Sequence, residues 1–381
     1  MIPIFRPAIS EEEIAAVAEV LRSGWLGPGK QVAEFEKKFA EACEVSHAIS
    51  MSSGTAALSA TLGVLQVGPG DEIIVPSFTY VSVVHVILSA GATPVFADIE
   101  PAHLTLDPDD VERRITKRTK GIVAVHHGGQ LADLDRLQEI ASRAGIFLVD
   151  DAAHAAGARY HGRPVGSLCL MTCFSFSAVK NLSTGDGGMV TTNDPDLARE
   201  LGIFRSLGLD RDTWSRYGSG AVPQRNRWAY DIAGSGQRIH MNDIAAAMGL
   251  TQLQRLPQLN ARRACLVMGY ESAFKDIATF RSVQPRRDTS PSWHMYTMVM
   301  QERDLFVDRM REAGITVGVH YHPLHLYAAF EKFRTELPVT DDLWRKVTTF
   351  PLYPTMTEVE HQRVISATLQ IAAGRLQGAA G

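Results

Sequence analysis

The chain has 381 residues, 45% of them hydrophobic and 21% charged, with a formal net charge of −4. That length exceeds what one core usually takes up, and nothing in the near-balanced charge suggests a basic groove for nucleic acid or a cationic face for an anionic membrane. The four cysteines (Cys43, Cys169, Cys173, Cys265) form no CxxC pair, which excludes a disulfide frame or a thiolate zinc site and suits a reducing compartment. Met1-Ile-Pro-Ile-Phe-Arg has no basic region followed by a hydrophobic run, and no apolar run reaches membrane-spanning length. The expectation is a cytoplasmic protein of two domains, residues 1–255 and 256–381.

Residues 10–23 read as a helix with a Ser cap, an acidic first turn and apolar spacing at Ile14, Val17, Val20 and Leu21. Gly24-Trp-Leu-Gly-Pro-Gly29 breaks it, and a second amphipathic helix follows over Gln31–Cys43. A short strand then runs into Ser53-Gly54-Thr55 at the start of an Ala/Leu-rich helix. Small hydroxyl residues and glycine at a helix N-terminus suit a phosphate, and they serve equally as an ordinary cap. Strands at 71–80, 92–99, 121–127 and 146–151 alternate with helices at 81–90, 109–115 and 133–144. Strands apolar throughout argue for a mainly parallel sheet covered on both faces, with ligands at the strands' carboxyl ends. Tyr80, Gln130, Asp151 and His154 fall there.

Asp151 closes the very apolar Ile146-Phe-Leu-Val-Asp-Asp and needs a partner: the protonated ring nitrogen of a cofactor, an arginine or a helix N-terminus. Phe174–Ala178 reads as a half-buried strand, followed by Lys180 and then by Gly185, Gly187 and Gly188 before a second strand. A desolvated lysine on such a loop can lose its proton and attack a carbonyl. Residues 209–230 read as an irregular loop over the site or at a subunit contact, and 242–256 as a helix carried past Pro257 to Tyr270. Beyond it come strands at 293–300 and 315–321 and helices at 303–313, 341–348 and 358–375, a smaller α/β domain on an antiparallel sheet. Gly318-Val-His-Tyr-His-Pro-Leu-His325 reads as a polar rim facing a substrate rather than a metal site, although His320 and His322 share one strand face. A short Gly/Ala tail closes the chain at Gly378–Gly381.

Six segments stand in order: Ser23-Gly-Trp-Leu-Gly-Pro-Gly, Ser53-Gly-Thr-Ala-Ala-Leu, Val75-Pro-Ser-Phe-Thr-Tyr, Asp151-Ala-Ala-His-Ala, Phe174-Ser-Phe through Lys180-Asn to Thr184-Gly-Asp-Gly-Gly, and Gly318-Val-His-Tyr through Pro323-Leu-His325. Together, over nearly the whole chain, they resemble the DegT/DnrJ/EryC1/StrS sugar aminotransferases, a branch of the fold-type I pyridoxal-phosphate enzymes. The resemblance implies that Lys180 forms the internal aldimine with pyridoxal 5'-phosphate and moves protons between substrate and cofactor. It implies that Asp151 pairs with the pyridine nitrogen, His154 contacts the ring hydroxyl, Tyr80 stacks on the ring, and Gly54, Thr55 and Ser175 cradle the phosphate. Ser177 stands where many members have His or Tyr. Arg238 aligns with a residue, Asn or Lys in other members, that reaches the cofactor phosphate or the substrate across a dimer interface. Lys180 argues against the dehydrating branch, which has histidine there.

The implied reaction takes an amino group from L-glutamate or glutamine to a keto group of a nucleotide-linked deoxysugar, on a homodimer with shared active sites. Ser177, His320, Tyr321 and His325 are the candidate substrate contacts. A keto-cyclitol acceptor is the second enzymatic reading, and a non-catalytic cofactor-binding regulator the third.

Overall fold

The computed structural model describes residues 1–211, 213–218 and 228–374. α1 (Glu11–Ser23) opens with the reciprocal capping box of Ser10 and Glu13 and ends at Gly24, which takes the left-handed conformation (φ 74°). Ile14 and Leu21 of the expected apolar stripe are exposed. The helix is seated instead by buried Glu13, which accepts from Gln252 Nε2 at 2.7 Å and Arg255 Nη1 at 2.6 Å. α2 (Lys30–Cys43) buries Val32, Phe35 and Phe39 and has no side-chain cap of its own. Asp243 supplies one from the far end of the sequence: its carboxylate accepts the N–H groups of Val32 at 3.0 Å and Gln31 at 3.3 Å.

The alternating region folds as expected: β1 (His47–Met51), α3 (Gly54–Val64), β2 (Glu72–Pro76), α4 (Ser82–Ser89), β3 (Thr93–Ala97), α5 (Pro108–Arg114), β4 (Thr119–Val125), α6 (Leu134–Ala144) and β5 (Phe147–Asp151). A two-residue hairpin, β6 (Arg159–Tyr160) and β7 (Arg163–Pro164), precedes β8 (Met171–Ser175) and β9 (Gly188–Thr192). These strands, without the hairpin, make a seven-stranded sheet in the order β1-β9-β8-β5-β4-β2-β3, in which only β9 runs antiparallel. The strands are buried on both faces, so their apolar runs carry no alternation. That is why β8 begins earlier than the sequence suggests: its pairing with β5 starts at Met171, and Phe176 and Ala178 lie beyond its end.

α7 (Pro195–Phe204) and the short α8 (Thr213–Tyr217) lead to α9 (Asp243–Phe274), 32 residues long and unbroken at Pro257. Of the expected loop at 209–230, residues 212 and 219–227 lie outside the described residues, as do Arg375 and the Gly378–Gly381 tail. The C-terminal part adds β10 (Phe280–Ser282), β11 (Thr289–Ser290), β12 (Tyr296–Met300), α10 (Arg303–Glu312), α11 (Pro338–Leu343), β13 (Val347–Phe350) and α12 (Glu358–Ala372). β10, β12 and β13 form the antiparallel sheet.

Two expectations fail here. Residues 315–321 make only single bridges, Ile2 to Ile315 and Gly318 to Thr349, and no strand. The helix expected at 341–348 divides into α11 and β13, because Val347-Thr-Thr-Phe350 is β-branched and aromatic and pairs with β12. Residues 255 and 256, at which the two-domain expectation divides the chain, lie within α9, and Ile2 packs in the cluster of Tyr270, Tyr296 and Phe350.

Asp243→Ala removes both acceptors at the start of α2, and the expected loss is about 1–3 kcal/mol of stability, read from the denaturant midpoint. A midpoint equal to that of the parent protein would show that water caps α2 equally well.

Candidate functional site

The carboxyl ends of β1, β2, β4, β5 and β8 open on a cavity of about 570 Å³. Gly54, Thr55 and Ser175 line one end of it. Ser53 caps α3, its Oγ accepting the Ala56 N–H at 3.1 Å. The N–H groups of Gly54 and Thr55, at the first helical positions, have no acceptor within the helix. β8 and β9 press directly on this turn. A Cβ at Gly54 would stand 2.6 Å from Ser175 Cβ, and one at Gly188 2.3 Å from the Ser53 carbonyl oxygen. The two bare glycines thus bring the Ser175 hydroxyl up to the helix N-terminus, making an anion-binding corner.

Asp151 and Lys180 line the centre of the cavity. Burial pushes the Asp151 carboxyl up, opposed by the Ala153 N–H that it accepts at 3.1 Å and by the charge of Lys180. Burial pulls the Lys180 ammonium down to about 8 from 10.5, opposed by the charge of Asp151. The neutral amine is therefore far more populated near pH 7 than in a free lysine. His154 Nδ1 accepts the Gly128 N–H at 3.2 Å, so its proton sits on Nε2, 3.5 Å from the Tyr321 hydroxyl. Burial first, then the charge of Lys180, holds His154 neutral.

Tyr80 is 59% exposed and its ring lies 6.1 Å from that of Tyr321. Ser177, His320 and Tyr321 line the rim. His320 Nδ1 lies 3.0 Å from Thr349 Oγ1, and burial with the Lys180 charge lowers its pKa to about 4. His322 turns away to pack on Trp344 and Tyr327.

Two expected site residues lie elsewhere. His325 is buried outside the cavity, bonded to Ser77 Oγ at 2.7 Å and to Asp341 at 3.2 Å, because the 3-10 turn at Leu324–Leu326 points it at the end of β2. It lines a separate cavity with Arg334 and Asp341 rather than the one that holds Lys180. Arg238 lines a second cavity of about 530 Å³ with Trp25, Arg205, Leu207 and His240, and does not line the one that holds Lys180. Among the lining residues that the sequence reading gave no site role are Phe5 and His294, and Asp186, which stands within the quoted Thr184-Gly-Asp-Gly-Gly segment. His294 was visible only as a lone polar residue at the head of an apolar strand, and nothing in the sequence marks Phe5.

In the cofactor-free protein, amine-reactive labelling of Lys180, followed by peptide mass, is expected to show a pH midpoint near 8. Asp151→Asn removes the charge that favours the ammonium, so the midpoint moves lower still; an unchanged midpoint would mean that the carboxylate does not act on Lys180.

Residues 7–369 match the DegT/DnrJ/EryC1/StrS aminotransferase family. The spore coat polysaccharide biosynthesis protein SpsC of Bacillus subtilis (strain 168) is 37% identical over 384 residues, covering 98% of this chain and 97% of SpsC. Spr1654 of Streptococcus pneumoniae, described as a sugar aminotransferase, was solved in PMP and PLP forms. Its PMP form superposes with a TM-score of 0.91 at 32% identity over 98% of each chain. DesV of S. venezuelae gives 0.87 at 36% identity over 95% of this chain and 94% of its own. The chain therefore belongs to the DegT/DnrJ/EryC1/StrS aminotransferase family and has the fold-type I architecture.

Proposed function

We propose that this enzyme moves an amino group from L-glutamate or L-glutamine to the keto group of a nucleotide-linked deoxysugar, on a homodimer whose sites draw residues from both chains. The enzyme is a sugar aminotransferase and its cofactor is pyridoxal phosphate. The observation that carries the reading is the buried Lys180, which shares one cavity with Asp151 and an open helix N-terminus and whose ammonium burial pulls down to about 8. Bound pyridoxal phosphate supplies an electrophilic carbon and a cationic ring that withdraws electrons.

The residues fit that group. The N–H groups of Gly54 and Thr55 with the Ser175 hydroxyl would hold the phosphate. Asp151 would pair with the ring nitrogen, and buried as it is, it gains most from a cation. His154 would donate Nε2–H to the ring oxygen, and Tyr80 would cover the ring face. Lys180 would hold or release a proton at Nζ within this cavity, serving as nucleophile and then as proton carrier. Ser177, Asp186, His320 and Tyr321 offer hydrogen-bonding groups to a polyhydroxylated acceptor.

Support for the dimer comes from the exposed apolar side chains Leu207, Tyr230 and Ile232, the first of which lines the cavity that contains Arg238. We place Arg238 against the partner's cofactor phosphate. The four free thiols suit the cytoplasm.

Purified protein with pyridoxal phosphate is expected to show a yellow band that bleaches on adding L-glutamate without acceptor. Lys180→Ala abolishes turnover, and full activity in that variant would sink the assignment. Calorimetry with nucleoside diphosphates separates the acceptors: measurable affinity supports the nucleotide sugar, and none favours a free keto-cyclitol. Mixing Lys180→Ala with Arg238→Ala chains is expected to restore up to about one quarter of parental activity if sites are shared; additive residual activities would refute sharing.

A further inference from the structure

His294 stands just before β12 and touches both sides of the chemistry. Its ring stacks on Phe5 (centroids 5.3 Å apart, planes 6° apart) and on His154 (4.4 Å, 24°). Its Nδ1 lies 3.0 Å from Oδ1 of Asn181, the residue after Lys180. The Asn181 amide nitrogen is already committed, donating to Asn260 Oδ1 at 2.8 Å and to the Ser292 carbonyl at 2.7 Å. The Asn181 oxygen must therefore be the atom that faces His294, and His294 donates from Nδ1.

The rest of the segment is tied to the same two places. Ser292 Oγ donates to the His154 carbonyl at 2.6 Å, and Asn260 Nδ2 donates to the Ala156 carbonyl at 2.9 Å. Gly129 (φ +90°) leaves room for this, since a Cβ there would come within 2.5 Å of Ser292 Oγ. Burial, then the Lys180 charge, holds His294 neutral as it does His154, so the stacked pair carries no mutual repulsion. Titratable groups that share the cavity wall with His294 include Asp151, Asp186, Lys180, His154, His320 and Tyr321, and Arg263 and His127 also act on its ring.

We infer that His294 is a positioning residue for amino transfer: through Asn181 it fixes the loop that carries Lys180, and through its ring it fixes His154. Lysine and imidazole then keep one mutual geometry while substrates exchange. The inference rests on the pyridoxal-phosphate reading of this cavity and deepens it. Losing the link loosens the Lys180 loop and lets water reach the amine, which favours the ammonium.

The test compares His294→Phe, which keeps an aromatic ring and removes the N–H donor, with His294→Asn, which keeps a donor near the Nδ1 position. For His294→Phe, kcat is expected to fall about 10²-fold while KM for the amino donor changes less than about threefold. The midpoint for labelling Lys180 in the cofactor-free protein is expected to rise above the parental value near 8. His294→Asn is expected to recover part of both effects. An unmoved midpoint, a change in KM alone, or an Asn variant no better than the Phe variant would overturn the inference. Asn181→Ala cuts the same link from the other side and serves if His294→Phe does not fold. Labelling needs no turnover, so the two failures are distinguishable: a parent protein that never bleaches with a donor counts against the function, and an unmoved midpoint counts against His294.

Discussion

The structure depends on keeping a lysine amine and an aspartate carboxylate out of water in the same cavity. Neither has a chain partner that neutralises it outright. Asp151 has one backbone N–H, and Lys180 has a field rather than a bonded anion. Burial drives both toward their neutral forms, and their mutual attraction resists. An apolar protein interior alone would discharge both groups; water alone would leave the lysine fully protonated. The cavity lies between these limits, and this makes the amine a usable nucleophile near neutral pH.

A parallel sheet can supply that environment because its strands deliver their last residues to one edge. β5 ends in Asp151, β8 in Ser175, and β1 runs into the turn that starts α3. Close approach of β8 and β9 to that turn needs glycine at 54 and 188, so the anion corner is as much a packing result as a chemical one. The wall opposite comes from the C-terminal part, with His294, His320 and Tyr321. Its histidines are neutral, so they hydrogen-bond without competing with Lys180 for the carboxylate.

Much of this was legible in the chain. The alternation of apolar runs with helical spacing yields the sheet, and Asp151, Lys180, His154, Ser175 and the Gly54-Thr55 turn all meet in the cavity. Local motifs work where a strand end and its turn carry the chemistry together. They fail where the third dimension decides. His325 sits in a run of polar residues that reads as a rim, yet a single 3-10 turn sends it to Ser77. Phe5 and His294 reach the site through pairings with distant segments, and no spacing rule encodes them. Glu13 was visible only as part of an acidic first turn, but Gln252 and Arg255 make it the residue that seats α1. The strand at 347–350 was hidden for a different reason: it is four residues long and follows a real helix, so periodicity had too little length to separate them.

The amino-terminal strap carries a further consequence, for the order of assembly. The Ile2 N–H donates to the Gly314 carbonyl, the Thr316 N–H donates back to Ile2, and the Ile4 carbonyl accepts from Leu352, each at 2.9–3.0 Å. Phe5, held just beyond these bonds, is part of the cavity wall. Residues 2–4 thus cannot find their place until partners more than 300 residues further along the chain have been made. The large sheet can close once β9 has been made to pair with β1, whereas a nascent chain lacks this wall of the cavity until the residues around Leu352 have followed.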